Sequence, residues 1–275
     1  LKSFLIRTLT SMGYAIVMVA GTVIHPYLFV GVFLVLLILA MNEYYRFATL
    51  AGTQPQKIAG FGIAVFFFLS VFGSVTGFIT WKITLITLLL LALVFLAELY
   101  RRKPHPMSNI SITLMGFFYI ALPFGLMNLM LFPGTSGNRV FYPWLLLGVF
   151  VMIWFFDSGA YMLGTLAGKH RLMERISPLK SWEGVIGGSM FAFLAGIGLA
   201  FLIPSVEIWN WMVISAIVVV FGTYGDLIES MFKRSLNLKD SGDLLPGHGG
   251  ILDRLDSILY TVPFVLAWLI ISGRL

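Results

Sequence analysis

Asp226, Glu229, Ser230 and Lys233 follow one another at spacings of three and four residues, so a helix would carry all four on one face. Arg234, Lys239 and Asp240 come next, ahead of the run Gly242-Asp243-Leu244-Leu245-Pro246-Gly247-His248-Gly249-Gly250. Glycines at this density permit positive φ and close approach of the backbone, which wrapping N–H groups around phosphate oxygens requires. The stretch ends in Asp253-Arg254-Leu255-Asp256, two carboxylates three residues apart at the start of an apolar run. One acid there would serve a helix N-terminus through the macrodipole. Two acids and an arginine exceed that need. With Asp226 they make an oxygen-rich donor set for a hard cation such as Mg²⁺, which takes one or two carboxylates and completes its shell with water and substrate phosphate.

Each member has a plainer reading on its own. Glu229 and Lys233 would form an i,i+4 pair of small worth. A Gly-rich loop is commonly just flexible, His248 alone would be an exposed loop histidine, and Lys233, Arg234 and Lys239 would be a solvated basic face. The combination carries the information. Acids to hold a metal, bases to hold phosphates and a Gly-rich turn between them are the equipment of phosphoryl or nucleotidyl transfer. The chain has no cysteine, which excludes disulfides, thiolate catalysis and Cys-ligated zinc.

A second polar island precedes this stretch: Asp157-Ser158-Gly159-Ala160-Tyr161, then Gly168-Lys169-His170, then Ser177-Pro178-Leu179-Lys180-Ser181-Trp182-Glu183-Gly184. Asp157 falls inside an apolar run, where an acid is expensive, so it is expected to face the bundle interior or a watery cavity. Ser181 is the expected N-cap of the helix that follows. Lys180 is a candidate to complete a substrate site on the same face as the C-terminal motif.

These islands interrupt a chain that is 59% hydrophobic and 11% charged, with mean hydropathy +0.95. Soluble domains are about half apolar and a quarter charged, so the expected class is an all-α, polytopic integral membrane protein. At about 20 residues per span the chain divides into nine: Leu9–Ile24, Tyr27–Phe47, Ile58–Phe72, Thr76–Leu99, Ile110–Leu131, Phe141–Leu163, Val185–Ile203, Trp209–Tyr224 and Leu252–Ile271. Residues 1–140 hold five of them, and residues 141–275 form the region that carries the chemistry. Gly73, Ser74 and Thr76 mark a tight turn between the third and fourth. Lys2 and Arg7 before an apolar run imitate a signal peptide, but more spans follow directly, so a retained first helix is expected. The chain opens on Leu1, and a few residues are expected ahead of it.

Charge placement supports this division. Fifteen of the 18 Lys and Arg residues fall on the side of the N-terminus, at it or in or beside the connections after spans two, four, six and eight, and only Lys82, Arg139 and Arg274 fall on the other side. The positive-inside rule reads this as a cytoplasmic N-terminus with the motif loops on the same side. Arg101, Arg102 and Lys103 are read as topology. The basic face would also draw anionic lipid head groups, and nucleic acid is not an expected partner.

The C-terminal stretch resembles the phosphatidate cytidylyltransferase, or CDP-diacylglycerol synthase, family. Its signature is met without gap by Ser230, Lys233-Arg234, Lys239-Asp240, Gly242, Pro246, His248-Gly249-Gly250, Asp253-Arg254 and Asp256. Asp157-Ser158 with Ala160-Tyr161, and Ser177-Pro178 with Lys180-Ser181 and Glu183-Gly184, resemble the family as well, while Leu179 stands where many members carry a second basic residue. Over the first 150 residues the resemblance is one of hydropathy. It implies the Mg²⁺-dependent reaction of CTP with phosphatidate, giving CDP-diacylglycerol and pyrophosphate in phospholipid biosynthesis, in a bacterial inner membrane and with one cation or two. It also implies roles. Asp226 and Asp253 would hold the metal, with Asp256 as a third ligand or as a partner to one of the two. Lys233, Arg234 and Lys239 would bind CTP phosphates or the lipid phosphate. Ser230 would complete the metal or phosphate shell, His248, Gly249 and Gly250 would add loop donors, and Lys180, Asp240 and Arg254 would contact substrate. A homo-oligomer is compatible with the sequence.

Three rivals are weighed against this reading. Related CTP-dependent enzymes acting on another lipid, such as CDP-archaeol synthases or polyprenol kinases, share the chemistry, and sequence does not select the lipid acceptor. CDP-alcohol phosphotransferases space their acids by three intervening residues after a leading Asp-Gly, whereas Asp253 and Asp256 have two between them. A transporter would account for intramembrane acids, but the charges gather at one rim and no repeated half is visible.

Overall fold

A chain that crosses hydrocarbon must satisfy its backbone N–H and C=O groups internally, and this one does so with helices over most of its length. The computed structural model describes residues 2–134, 139–236 and 249–274, with residues 2–9 described as backbone only. In chain order the elements are α1 (Lys2–Val23), α2 (Pro26–Leu50), α3 (Lys57–Val75), α4 (Trp81–Arg101, opening with a 3₁₀ turn), α5 (Pro106–Leu131) and α6 (Trp144–Ala167). An antiparallel hairpin follows, β1 (Arg171–Met173) and β2 (Ser177–Ser181), and then α7 (Trp182–Leu202), α8 (Ile208–Ser235) and α9 (Leu252–Ile271). Among the described residues, the eight helices α2 to α9 are long and apolar enough to cross a membrane, and Thr10–Val23 of α1 is a shorter apolar helix. The protein is an all-α integral membrane protein. The hairpin is the one sheet among the described residues, and it lies within the second polar island.

Two boundaries differ from the sequence expectation in ways that matter. The turn after α3 is not at Gly73, which is still helical. There a Cβ would meet Ile79 Cγ1 at 3.0 Å, so the missing side chain serves packing, and Gly77 supplies the positive φ of +80°. At α8 the helix does not stop at Tyr224 but runs on to Ser235. Asp226 to Arg234 therefore sit on the helix itself, as their spacing predicts. A π-helical segment, Val218–Gly222, lies just before them. Such bulges are frequent at functional sites.

The chain forms two compact units. In the first, α1 to α5 enclose an aromatic core in which Phe29 stacks on Phe33 at 4.1 Å, with Phe68 and Phe124 fully buried beside them. A buried polar knot ties its connections. Glu98 accepts from Gln56 Nε2 at 2.7 Å, Arg101 Nη1 at 2.6 Å and Asn109 Nδ2 at 2.8 Å. Asn109 and Thr113 in turn accept from the backbone N–H groups of Gln54 and Gln56. Arg101, read from sequence as topology, is thus also an internal structural partner. Residues 249–254 belong to this unit.

The second unit holds α6, the hairpin, α7, α8 and the part of α9 from Leu255 onward. Small residues let its backbones approach, as lipid-embedded helices require. A Cβ at Gly188 would meet the Phe156 carbonyl oxygen at 2.7 Å, and one at Gly159 would meet Phe191 Cγ at 2.7 Å.

Candidate active site

The second unit gathers charge around Asp226. This residue lies in α8, two positions after the helix clears Tyr224. It forms an ion pair with Lys180, the penultimate residue of β2. Ser230, one turn further along α8, donates to Asp226 Oδ1 at 3.3 Å. Asp256, in the second turn of α9, is 8% exposed, and the charges of Asp226, Asp157 and Lys180 all act on it. Its Oδ1 accepts from the Ser257 N–H at 2.6 Å, and Ser257 Oγ donates to the Gly222 carbonyl at 3.2 Å, so the turn is tied to the π-helical segment of α8.

Gly225 explains how α8 and α9 pack so closely beside Asp226. A Cβ at this position would stand 2.6 Å from the Asp256 carbonyl oxygen, 2.9 Å from Tyr260 Cβ and 3.1 Å from Ser257 Cα. Only glycine lets α8 and α9 close to this distance, one residue before Asp226. The charges of Asp226 and Asp256 repel, and the Lys180 ammonium offsets part of that repulsion.

The hairpin that carries Lys180 is itself clasped. Ser181 caps α7 by accepting the Gly184 N–H at 3.2 Å, as its type and place predict. Glu183 accepts the Lys169 N–H at 3.1 Å and lies 2.6 Å from His170 Nδ1. The Trp182 N–H donates to the His170 carbonyl at 2.9 Å. Further along α8, Glu229 is fully buried and pairs with Lys233, and Arg234 Nε donates to the Ile176 carbonyl at 3.3 Å. The predicted shared face of Asp226, Glu229, Ser230 and Lys233 is therefore present, with two bonds along it. Asp157, in the C-terminal half of α6, is exposed and does not face the bundle interior.

In the first unit, residues 249–254 form a tight entry into α9. Gly249 has φ +82°, and the Gly250 N–H donates to Asp253 Oδ2 at 2.9 Å. The Ile251 and Leu252 N–H groups donate to the two carboxylate oxygens of Glu43, in α2, at 2.9 and 2.8 Å. Tyr14 of α1 donates to the Arg254 carbonyl at 3.3 Å, and the Arg254 side chain is exposed. The helix-capping acid is thus Glu43, a residue that the motif reading passes over. Its signal in sequence is a lone carboxylate inside the apolar second span, costly unless used. Lys239, Asp240 and His248 lie outside the described residues.

The donors in the second unit are all oxygen, which suits Mg²⁺ rather than a softer metal. Among the described residues no group of three or more His, Asp or Glu side chains has metal-binding spacing. Two carboxylates are nevertheless enough for Mg²⁺, since water and phosphate oxygens supply the rest of its shell.

Residues 5–272 match the model of the cytidylyltransferase family. The chain belongs to that family. It is similar to the phosphatidate cytidylyltransferase of Staphylococcus haemolyticus (strain JCSC1435), 40% identical over 153 residues, which are 55% of this chain and 56% of that protein. The phosphatidate cytidylyltransferase of Haemophilus influenzae is 49% identical over 125 residues, 44% of this chain and 43% of that protein. That of Staphylococcus aureus (strain COL) is 38% identical over 160 residues, 58% of each chain. The chain spans about half the length of the curated relatives it matches.

Proposed function

We propose that this protein is a phosphatidate cytidylyltransferase, making CDP-diacylglycerol and pyrophosphate from CTP and phosphatidate. The observation that carries the reading is the Lys180–Asp226 ion pair set among Asp157 and Asp256, in a chain of the cytidylyltransferase family.

The chemistry asks little covalent help of the protein. Phosphatidate bears a phosphomonoester, mostly dianionic at neutral pH, so one of its oxygens attacks without a general base. That oxygen bonds to the α-phosphorus of CTP, the bond from that phosphorus to the bridging oxygen breaks, and pyrophosphate leaves. What remains is to hold two anions together and to neutralise the leaving group. Lys180, Lys233 and Arg234, with Lys239 by its place in the motif, bind phosphate oxygens in this reading. Asp226 and Asp256 would hold Mg²⁺, and Asp253, three residues before Asp256 in α9, joins them by its place in the motif. When bound, the cation would supply charge neutralisation of the triphosphate. Ser230 orients Asp226 through their hydrogen bond. The basic loops, by their bias along the sequence, are assigned to the cytoplasm of a bacterial inner membrane.

The test is pyrophosphate release by purified protein given CTP, Mg²⁺ and short-chain phosphatidate, each omitted in turn. Release that needs all three, with CDP-diacylglycerol as the second product, supports the proposal. Turnover with a different lipid and none with phosphatidate overturns the acceptor. No turnover with any lipid overturns the reaction.

A further inference from the structure

Glu43 is a carboxylate within a membrane-spanning helix, seven residues before the end of α2, or about 10 Å of helix rise from it. It is 4% exposed. Burying a carboxylate is costly without full hydrogen-bonding compensation, and here each oxygen accepts a separate backbone N–H, from Ile251 and from Leu252. These are among the N–H groups that a helix leaves without partners at its start. A negative charge there also answers the positive end of the macrodipole. The two bonds join residues 208 and 209 apart in sequence, so Glu43 caps the start of α9 from α2.

That first turn is the one that matters chemically. Asp253 follows Leu252 directly, and its Oδ2 accepts from the Gly250 N–H. Asp256 follows three residues later on the same helix. We propose that Glu43 is a positioning residue for the reaction: from α2 it clamps the Ile251 and Leu252 amides and so fixes the turn that presents Asp253. The catalytic part of this inference rests on the cytidylyltransferase reading above; the clamp itself does not.

A carboxylate is specifically required, because both of its ends must accept. In Glu43→Gln one oxygen becomes an NH₂ that faces a backbone N–H, donor against donor. In Glu43→Asp both acceptors and the charge remain, but the reach is one methylene shorter. Misplacing reacting groups by about 1 Å costs on the order of 100-fold in rate.

The experiment compares wild-type, E43Q and E43D protein by amide hydrogen exchange, together with steady-state pyrophosphate release. Expected for E43Q are faster exchange confined to the segment 249–254, kcat lower by about 100-fold and a KM for CTP within about threefold of wild type. E43D is expected to recover much of kcat and of the protection. The proposal is overturned if E43Q keeps wild-type kcat, if CTP KM rises while kcat holds, or if exchange accelerates throughout α2 to α5. Should E43Q fail to fold, E43D decides: wild-type kcat with accelerated exchange at 249–254 overturns the positioning role, and a lowered kcat with the rest of the fold protected supports it. If wild-type protein shows no turnover yet E43Q alone loosens 249–254, the proposed reaction fails and the clamp stands.

Discussion

Placing a single methyl group at Gly225 tests the geometry of the site without touching any charged group. In Gly225→Ala the new Cβ would lie 2.6 Å from the Asp256 carbonyl oxygen and 3.1 Å from Ser257 Cα. Both are backbone atoms, so no change of rotamer relieves the clash. An ordinary carbon–oxygen contact is about 3.3 Å, so α8 and α9 must part by about 0.7 Å. Overpacking of this kind costs about 1–3 kcal/mol in stability. Asp226 is the next residue and moves with its helix, away from Asp256. At about 100-fold in rate per ångström of misplacement, 0.7 Å corresponds to a loss of roughly 25-fold in kcat. The assay is pyrophosphate release in parallel with thermal unfolding, with Gly198→Ala as the control, because nothing stands within 4 Å of a Cβ there. Wild-type kcat and unfolding temperature in Gly225→Ala, or equal damage from Gly198→Ala, would refute the argument that close helix approach sets the site.

Three further outcomes follow from the same geometry. Asp226→Asn removes the carboxylate shared by Lys180 and Ser230; turnover should vanish while the protein stays folded in the membrane, and near-normal activity would reject Asp226 as a metal ligand. Chelation of Mg²⁺ should abolish pyrophosphate release and its return should restore it; turnover in excess chelator would remove the metal from the mechanism. Glu98→Ala strips Gln56, Arg101 and Asn109 of a shared buried acceptor, at a cost of about 3 kcal/mol. It should lower the unfolding temperature while leaving kcat of the folded protein near wild type, and unchanged unfolding would show that the polar knot is not structural support.

Several features were legible because they depend on neighbours in the chain. Helical spacing placed Asp226, Glu229, Ser230 and Lys233 on one face, and the observed Ser230–Asp226 and Glu229–Lys233 contacts follow from that period. Ser181 as the cap of α7 is likewise a local matter of one hydroxyl and the N–H three residues on. The hairpin was harder to read, since β1 and β2 are only three and five residues long and sit among turn residues with no alternation to mark them. The apolar span ends near Tyr224 because hydropathy falls there, while the helix itself continues to Ser235, as the three-and-four spacing of its charged residues predicts. Backbone hydrogen bonding does not stop where the apolar run stops.

By itself the sequence determined that the chain is helical and lives in a membrane, and which residue types it brings to phosphate chemistry. Composition, period and spacing along the chain are sufficient for these, because hydrocarbon burial and helical geometry act over a few turns. Only the tertiary structure decided which of those residues meet. It set Lys180 against Asp226, brought Asp157 and Asp256 into the same field, turned Gly225 into a contact surface, and assigned the cap of α9 to Glu43, 208 residues before Ile251. No periodicity links residues that far apart. Their meeting is selected by the packing of whole helices and by the cost of leaving a buried carboxylate or an amide without a partner.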